Sequence, residues 1–169
     1  MAWSYRRRTP DEKCDKPADA REKALELLTG QDFSCQGLYE RLCRRFTDEA
    51  AAYAVSEMIR LHLLDDARYA RIRARSLQMQ HKSRRAIADA LRRKGVERQL
   101  AADVLEELYD EQQPGEDPEL EAAQALVKRQ YARRLAEGRQ DLVLAALARR
   151  GFSYRVARDA VKSVAGQAT

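Results

Sequence analysis

The amino-acid sequence predicts an all-α protein made of three tandem three-helix repeats that form an elongated, curved helical body. The composition favours helix, because the 169 residues are rich in alanine, leucine, arginine and glutamate but include only seven glycines and four prolines. Helix-capping residues and glycine stops recur along the chain. One stretch also occurs twice, and a repeated unit that buries its apolar face poorly alone is expected to stack on its neighbours.

The repeated stretch spans residues 91–108 and residues 147–164, which align without a gap. A looser copy surrounds Leu42, and Phe46 stands where that copy should have its glycine. The predicted division is a disordered N-terminal tail (1–18), a first repeat (19–64), a basic central repeat (65–112), a linker (113–118), a third repeat (119–165) and a C-terminal tail (166–169).

Capping signals define the helices of the first repeat. A helix from about Asp19 is expected to end at Gly30, because glycine commonly follows a helix. Ser34 and Thr47 precede the next two helices as N-cap residues, whose side chains accept a backbone hydrogen bond. The side chains expected to face inward from the third helix are Ala51, Val55, Met58, Ile59 and either His62 or Leu63.

The second repeat is expected to begin with a helix over about residues 67–80, capped by Asp65 or Asp66. A metal site at this acidic pair is the weaker interpretation, because a helix follows directly and its dipole favours acids there. The apolar side of this helix is expected to include Tyr69, Ala70, Ile72, Ala74 and Leu77. Ser83 is expected to cap the next helix, which Gly95 ends.

The helix after the predicted linker is expected to start at Asp117 and Pro118, a capping acid followed by proline at the first helical position. That helix should continue to about Leu135 and break at Gly138. A short helix then stops at Gly151, and the residue predicted to cap the last helix is Ser153.

Charge and composition exclude several classes of protein. The net charge is +5, with eleven bases and two acids between residues 68 and 98, followed by nine acids and no base between residues 99 and 127. Three cysteines without C-x-x-C spacing argue against a disulfide framework and a zinc site. No apolar run is long enough to span a membrane. We expect a cytoplasmic protein, with no catalytic motif, metal or cofactor, that is not an enzyme.

The basic side chains are the candidate binding residues. Basic pairs precede the helix stops, where the helix dipole alone would favour them. The dipole does not explain bases at the start of a helix, such as Arg68 and Arg71, so an anionic partner is the better interpretation. The candidate partner-binding residues are Arg68, Arg71, Arg75, Arg84, Arg85, Arg92, Arg93, Lys94, Arg149 and Arg150.

Two other functions stay open at the level of these residues. A short helix, a glycine turn and a second helix also resemble a helix-turn-helix, so a nucleic-acid-binding transcription regulator is the alternative. The last predicted helix could read bases through Arg155, Arg158 and Lys162. A helical scaffold with merely solvated charges is the third interpretation.

Two motifs in the central repeat resemble those of the RecX regulatory family. The family segment L-D-D-x-R-[YF]-A is matched by residues 64–70, and the pattern I-x-x-x-L-x-x-K-G-[IV] is matched by residues 87–96. The resemblance covers about Ala20 to Val164, with the three-repeat layout. The sequence departs from the family at MQHKSRR, which lacks the usual glycine or proline before the second helix, and at Phe46.

This resemblance implies a modulator of the RecA recombinase. Proteins of the family bind the RecA filament on single-stranded DNA and restrain its ATP hydrolysis, its extension and strand exchange. The expected partners are therefore the RecA nucleoprotein filament and single-stranded DNA, the latter bound weakly alone, and the protein is expected to be a monomer without cofactor. The matching leucine, isoleucine and glycine residues identify the fold and do not locate a binding site.

Overall fold

A computed structural model describes residues 13–110 and 117–166 of the chain, and there the regular structure is helical. The predicted all-α class is confirmed. The helices are α1 (Pro17–Gly30), α2 (Cys35–Leu42), α3 (Asp48–Arg60), α4 (Asp66–Met79), α5 (Arg84–Arg93), α6 (Arg98–Asp110), α7 (Pro118–Leu126), α8 (Ala132–Ala136), α9 (Gln140–Arg149) and α10 (Tyr154–Gly166). A π-helical segment, Val127–Tyr131, joins α7 to α8. None of these helices is long and apolar enough to cross a membrane.

The predicted helix starts are explained by side chains that accept hydrogen bonds from the first helical turn. Ser34 accepts from the amide of Gly37, and Thr47 accepts from that of Ala50. The carboxylate of Asp65 accepts from the amide of Arg68 at 2.9 Å. The remaining cap acceptors are Ser83, Glu97, Asp117 and Ser153. Local sequence therefore determines where these helices begin.

The chain divides into two compact units. The first comprises Met1–Tyr69 with Lys94–Val96, and the second comprises Ala70–Arg93 with Glu97–Thr169. In the first unit, α1, α2 and α3 pack against one another around a core that includes Leu38, Leu42 and Met58. In the second unit, α5 packs against α6, and α10 packs against both α7 and α9. The division of the chain into three repeats remains a prediction, because the division into two units does not test it.

Part of the predicted N-terminal tail has structure of its own. The backbone of Cys14 pairs with the turn after α2, donating to the carbonyl of Arg45 and accepting from the amide of Thr47, each at 2.9 Å. Helix α1 already begins at Pro17, which occupies the first helical turn. Residues 1–12 of the predicted tail, residues 113–116 of the predicted linker and residues 167–169 of the C-terminal tail lie outside the described residues.

A compound helix cap stabilises the N-terminus of α2 in the first unit. The buried hydroxyl of Ser34 accepts from the amide of Gly37 and donates to the carbonyl of Lys94. The carboxylate of Asp66 accepts from the amide of Cys35 at 2.7 Å. Two distant segments of the chain thus satisfy the unpaired backbone and side-chain groups at one helix start.

The second unit contains the same compound cap at α5. Ser83, also buried, accepts from the amide of Ala86 at 3.2 Å and donates to the carbonyl of Arg150 at 2.7 Å. The carboxylate of Glu119 accepts from the amide of Arg84 at 3.3 Å. The acids at the starts of α4 and α7 are therefore structural caps, and the serines at 34 and 83 are equivalent residues of a repeated element.

The glycines after α5 and α9 fit against these caps. Gly95 has a φ of +79°, and a Cβ added there would lie 2.3 Å from Cβ of Gln36. Gly151 has a φ of +88°, and its Cβ would lie 2.8 Å from Oγ of Ser83. Both positions therefore need glycine for the backbone conformation and for the close approach.

The first repeat uses a shorter turn than the alignment predicted. Phe46 is only 6% exposed, and its amide donates a hydrogen bond to the carbonyl of Leu42. In the same way, the amide of buried Phe152 donates to the carbonyl of Leu147. Phe46 is thus the equivalent of Phe152, and the glycine position is missing. The predicted register at Phe46 was wrong by one residue.

Three apolar assignments on α3 and α4 were also wrong. Ile59 is 47% exposed and Ile72 is 52% exposed, although both were expected to face inward. His62 lies in the turn after α3 with a φ of +56°, and exposed Leu63 leaves Leu64 to enter the core. His81 likewise adopts a φ of +57° in the connection that lacks a glycine, so a histidine performs the left-handed turn there.

Candidate nucleic-acid interface

A groove of about 610 Å³ in the second unit gathers basic side chains from four segments of the chain. Its walls are the connection before α5, one face of α5, the π segment and the turn after α9. We call it the basic groove. Its basic side chains are Lys82, Arg85, Arg93, Arg129, Arg149 and Arg150, and its one carboxylate is that of Asp89.

The charges of the basic groove are largely uncompensated. Within residues 13–110 and 117–166, five of its six bases form neither an ion pair nor a side-chain hydrogen bond: Lys82, Arg85, Arg93, Arg129 and Arg149. Asp89 pairs with Arg92, which does not line the groove. Like charges in one concave site repel, so an anionic ligand would be attracted by a field that the fold does not neutralise.

The equivalent cap in the first unit shows that the fold does not require these charges. When the two units are aligned on their cap residues Ser34 and Ser83, Lys82 aligns with Phe33. In the same alignment, Arg85 aligns with Gln36. By contrast, a base is kept at the position of Arg93, although its counterpart Arg44 lies in the turn just after α2. The helix dipole can account for the shared base, whereas Lys82 and Arg85 are specific to the groove.

Among the described residues, Arg150 is the one groove base whose guanidinium has protein partners. Its guanidinium donates to the side-chain oxygen of Gln130 at 3.1 Å and to the carbonyl of Ala146 at 3.4 Å. It also lies 5.2 Å from the centroid of the Tyr131 ring, within the range of a cation–π interaction. These neutral partners orient the side chain and leave its positive charge in the groove.

The structure brings together four of the ten predicted residues. Arg85, Arg93, Arg149 and Arg150 line the basic groove, although they are far apart in the sequence. Arg84 is adjacent in sequence but its guanidinium lies 5.2 Å from the Tyr109 ring centroid instead. Burial raises the pKa of that tyrosine to about 12, so the ring stays neutral beneath the cation.

The other predicted residues lie outside the groove. Arg71 forms an ion pair with Glu107 at 3.0 Å and shares a small recess with Arg75. Arg92 pairs with Asp89. Arg68 and Lys94 are exposed in the first unit. The backbone carbonyl of Lys94 accepts the hydrogen bond from Ser34 that forms part of the cap of α2. Their roles as binding residues stay predictions.

Sequence reasoning missed three groove residues. Lys82 was counted in the basic block but not selected, and Arg129 and Gln130 lie in a helix that was predicted without its π segment. No single-sequence pattern marks the wider turn, because it depends on how the helix packs. The consecutive bases Lys128 and Arg129 were the available signal, and they were not connected with the central block.

The candidate recognition helix of the alternative function uses its charges locally. On α10, Arg158 bonds to Asp159 at 3.2 Å, and Arg155 lies 3.8 Å from a carboxylate oxygen of Asp117. Lys162 is exposed. Two of the three predicted base-reading side chains therefore have carboxylate partners, unlike most bases of the basic groove.

The chain resembles known proteins over most of its length. Residues 65–105 match the family model described as RecX, second three-helix domain. Regulatory protein RecX of Trichlorobacter lovleyi is 39% identical over 120 residues, which cover 70% of this chain and 75% of that protein. Regulatory protein RecX of Mycobacterium leprae is 31% identical over 153 residues, covering 85% and 84%.

Solved structures show the same fold. The crystal structure of RecX from Lactobacillus salivarius superposes with a TM-score of 0.72 at 20% identity, covering 88% of this chain and 96% of that one. A crystal structure of regulatory protein RecX gives a TM-score of 0.70 at 23% identity, covering 83% and 70%. At these identities the likeness is evidence for the fold alone.

Proposed function

The chain belongs to the RecX family of regulatory proteins, and on that premise we propose that it binds RecA filaments on single-stranded DNA in the cytoplasm. Binding there restrains ATP hydrolysis by RecA, filament extension and strand exchange. The proposed action is that of a binding protein, without catalysis or cofactor. The predicted monomeric state belongs to the same proposal.

The observation that carries the proposal is the basic groove. It presents bases without carboxylate partners among the described residues, and a filament that contains DNA is a polyanion with which they can pair. The exposed acids Asp103, Glu106 and Asp110 on α6 provide the opposite charge for basic protein surface. Electrostatic complementarity of both signs suits a nucleoprotein partner better than bare DNA.

The test compares RecA's DNA-dependent ATPase with and without the protein at substoichiometric amounts. We expect the wild type to slow hydrolysis and the triple variant Arg85→Glu, Arg93→Glu, Arg149→Glu to lose that effect. The matched control is Lys128→Glu, Arg133→Glu, Lys162→Glu, which reverses three exposed bases that do not line the groove.

Two results would contradict the proposal. The first is an unchanged ATPase rate and filament length with the wild type. The second is equal loss of inhibition in both triple variants, which would attribute the effect to net charge alone. Preference for one duplex sequence over random DNA would instead support the transcription-regulator alternative.

A further inference from the structure

We propose that the π segment Val127–Tyr131 forms one wall of a single-strand binding groove, with Arg129 as a direct phosphate ligand. In the same proposal, Gln130 and Tyr131 are positioning residues that hold Arg150. The inference rests on the proposed function and deepens it, because it names the part of the filament that the basic groove contacts: the sugar–phosphate backbone of the DNA strand.

The placement of Arg129 supports a ligand role. Three consecutive side chains of the π segment, Lys128, Arg129 and Gln130, are exposed between buried Val127 and buried Tyr131. Of these three, Arg129 and Gln130 line the groove and Lys128 does not. Arg129 has no carboxylate partner among the described residues, so its charge is available on the wall that the π segment forms.

The placement of Gln130 and Tyr131 supports a positioning role. Gln130 accepts a hydrogen bond from Arg150, and the Tyr131 ring lies beneath the same guanidinium. Both partners are uncharged, so they restrict the side chain without cancelling the charge that a phosphate would meet. A guanidinium fixed before binding loses less side-chain entropy when it binds.

The size of the groove favours a single strand. At about 610 Å³ it is comparable to a small-molecule site, which suits a short run of one strand better than the wider duplex. A groove lined by bases from several segments resembles the positively charged grooves that follow the backbone in single-strand binding proteins. The irregular helix is consistent with this, because π turns occur frequently at functional sites.

The test measures binding of a fluorescent oligothymidylate of about 12 nucleotides, within the usual site sizes, over a range of salt concentrations. Each phosphate contact on a single strand contributes about 0.7 to the slope of log K against log salt. We expect Arg129→Ala to lower the affinity several-fold and to reduce the slope by about 0.7. The control Lys128→Ala removes the neighbouring exposed base and should leave both quantities unchanged.

The positioning role has its own variants. Gln130→Glu places a carboxylate against Arg150, and it should lower both affinity and slope because the pair cancels the charge. Tyr131→Leu removes the ring that lies beneath the guanidinium of Arg150, and it should lower the affinity. Circular dichroism and the melting temperature serve as folding controls for each variant.

The outcomes separate this inference from the proposed function. Absence of wild-type binding to the oligonucleotide, or equal effects of Arg129→Ala and Lys128→Ala, would overturn the inference even if RecA's ATPase is inhibited. Loss of oligonucleotide binding in Arg129→Ala, together with no effect of the wild type on RecA, would support the inference and refute the proposed function.

Discussion

The glycines of this chain differ in backbone φ and in the space available for a side chain, and these differences should appear in the stability of alanine variants. Gly95 has both a positive φ and a contact that excludes a side chain, Gly138 has a positive φ of +74° in open space, and helical Gly30 has neither. The three positions therefore separate backbone conformation from packing.

We expect destabilisation to rank Gly95→Ala above Gly138→Ala above Gly30→Ala. The left-handed conformation costs an alanine about 1–2 kcal/mol, which is the whole cost at Gly138, whereas at Gly95 displacement of Gln36 adds to it. Gly30→Ala should be neutral or stabilising by up to about 1 kcal/mol, since alanine favours helix. Urea unfolding of the three variants measures the order, and equal losses at Gly95 and Gly138 would contradict the tight contact.

Cys35 illustrates how tertiary packing controls a side chain's chemistry. Burial, with the carboxylate of Asp66 nearby, raises the pKa of its thiol to about 11. The folded thiol keeps its proton at pH values where an unfolded thiol has lost it. Its contribution to stability is therefore complete below about pH 9 and is lost as the pH rises to about 11.

Alkylation by iodoacetamide tests this in a Cys14→Ser, Cys43→Ser background, where Cys35 is the remaining thiol. We expect the rate to rise half-maximally near pH 11, because the thiolate is the reactive form. Adding Asp66→Asn should move the midpoint to lower pH. A midpoint near 9 in the background protein would show that Cys35 is not shielded.

At the scale of the element, helix starts are the features that short-range sequence determines best. A serine, threonine or aspartate accepts a bond from an amide two or three residues later, so sequence alone located the caps at Ser34, Thr47, Ser83, Asp117 and Ser153. What the sequence did not indicate is that Ser34 and Ser83 also donate to carbonyls 60 and 67 residues away.

The hydrogen bond from Ser83 to the carbonyl of Arg150 predicts that two serine caps differ in how much stability is lost when each is replaced by alanine. Ser153→Ala should destabilise by about 1 kcal/mol, the usual loss for an N-cap. Ser83→Ala should cost about 2–3 kcal/mol, because it also leaves the carbonyl of Arg150 without its hydroxyl partner. Chemical denaturation measures both, and equal costs would mean that the long-range bond contributes nothing.

At the scale of the whole molecule, charge is organised by assembly of distant segments. The sequence identified a central basic block and basic pairs before the helix stops, and each of these two sets includes part of the basic groove. Neither set contains Arg129, which lines the groove. The predicted binding residues also included Arg71 and Arg92, whose charges are paired with Glu107 and Asp89. An ion pair between Arg71 and Glu107 joins residues of separate helices, so no local pattern reveals it.

The sequence by itself determined the all-α class, the helix starts, the equivalence of Gly95 with Gly151 and the resemblance to the RecX family. These depend on periodicity, capping and turn chemistry, which act between residues a few positions apart. Only the tertiary structure decided that Asp66 and Glu119 cap helices other than their own and which arginines share a groove. Such contacts join residues tens of positions apart, and packing of the helices alone brings them together.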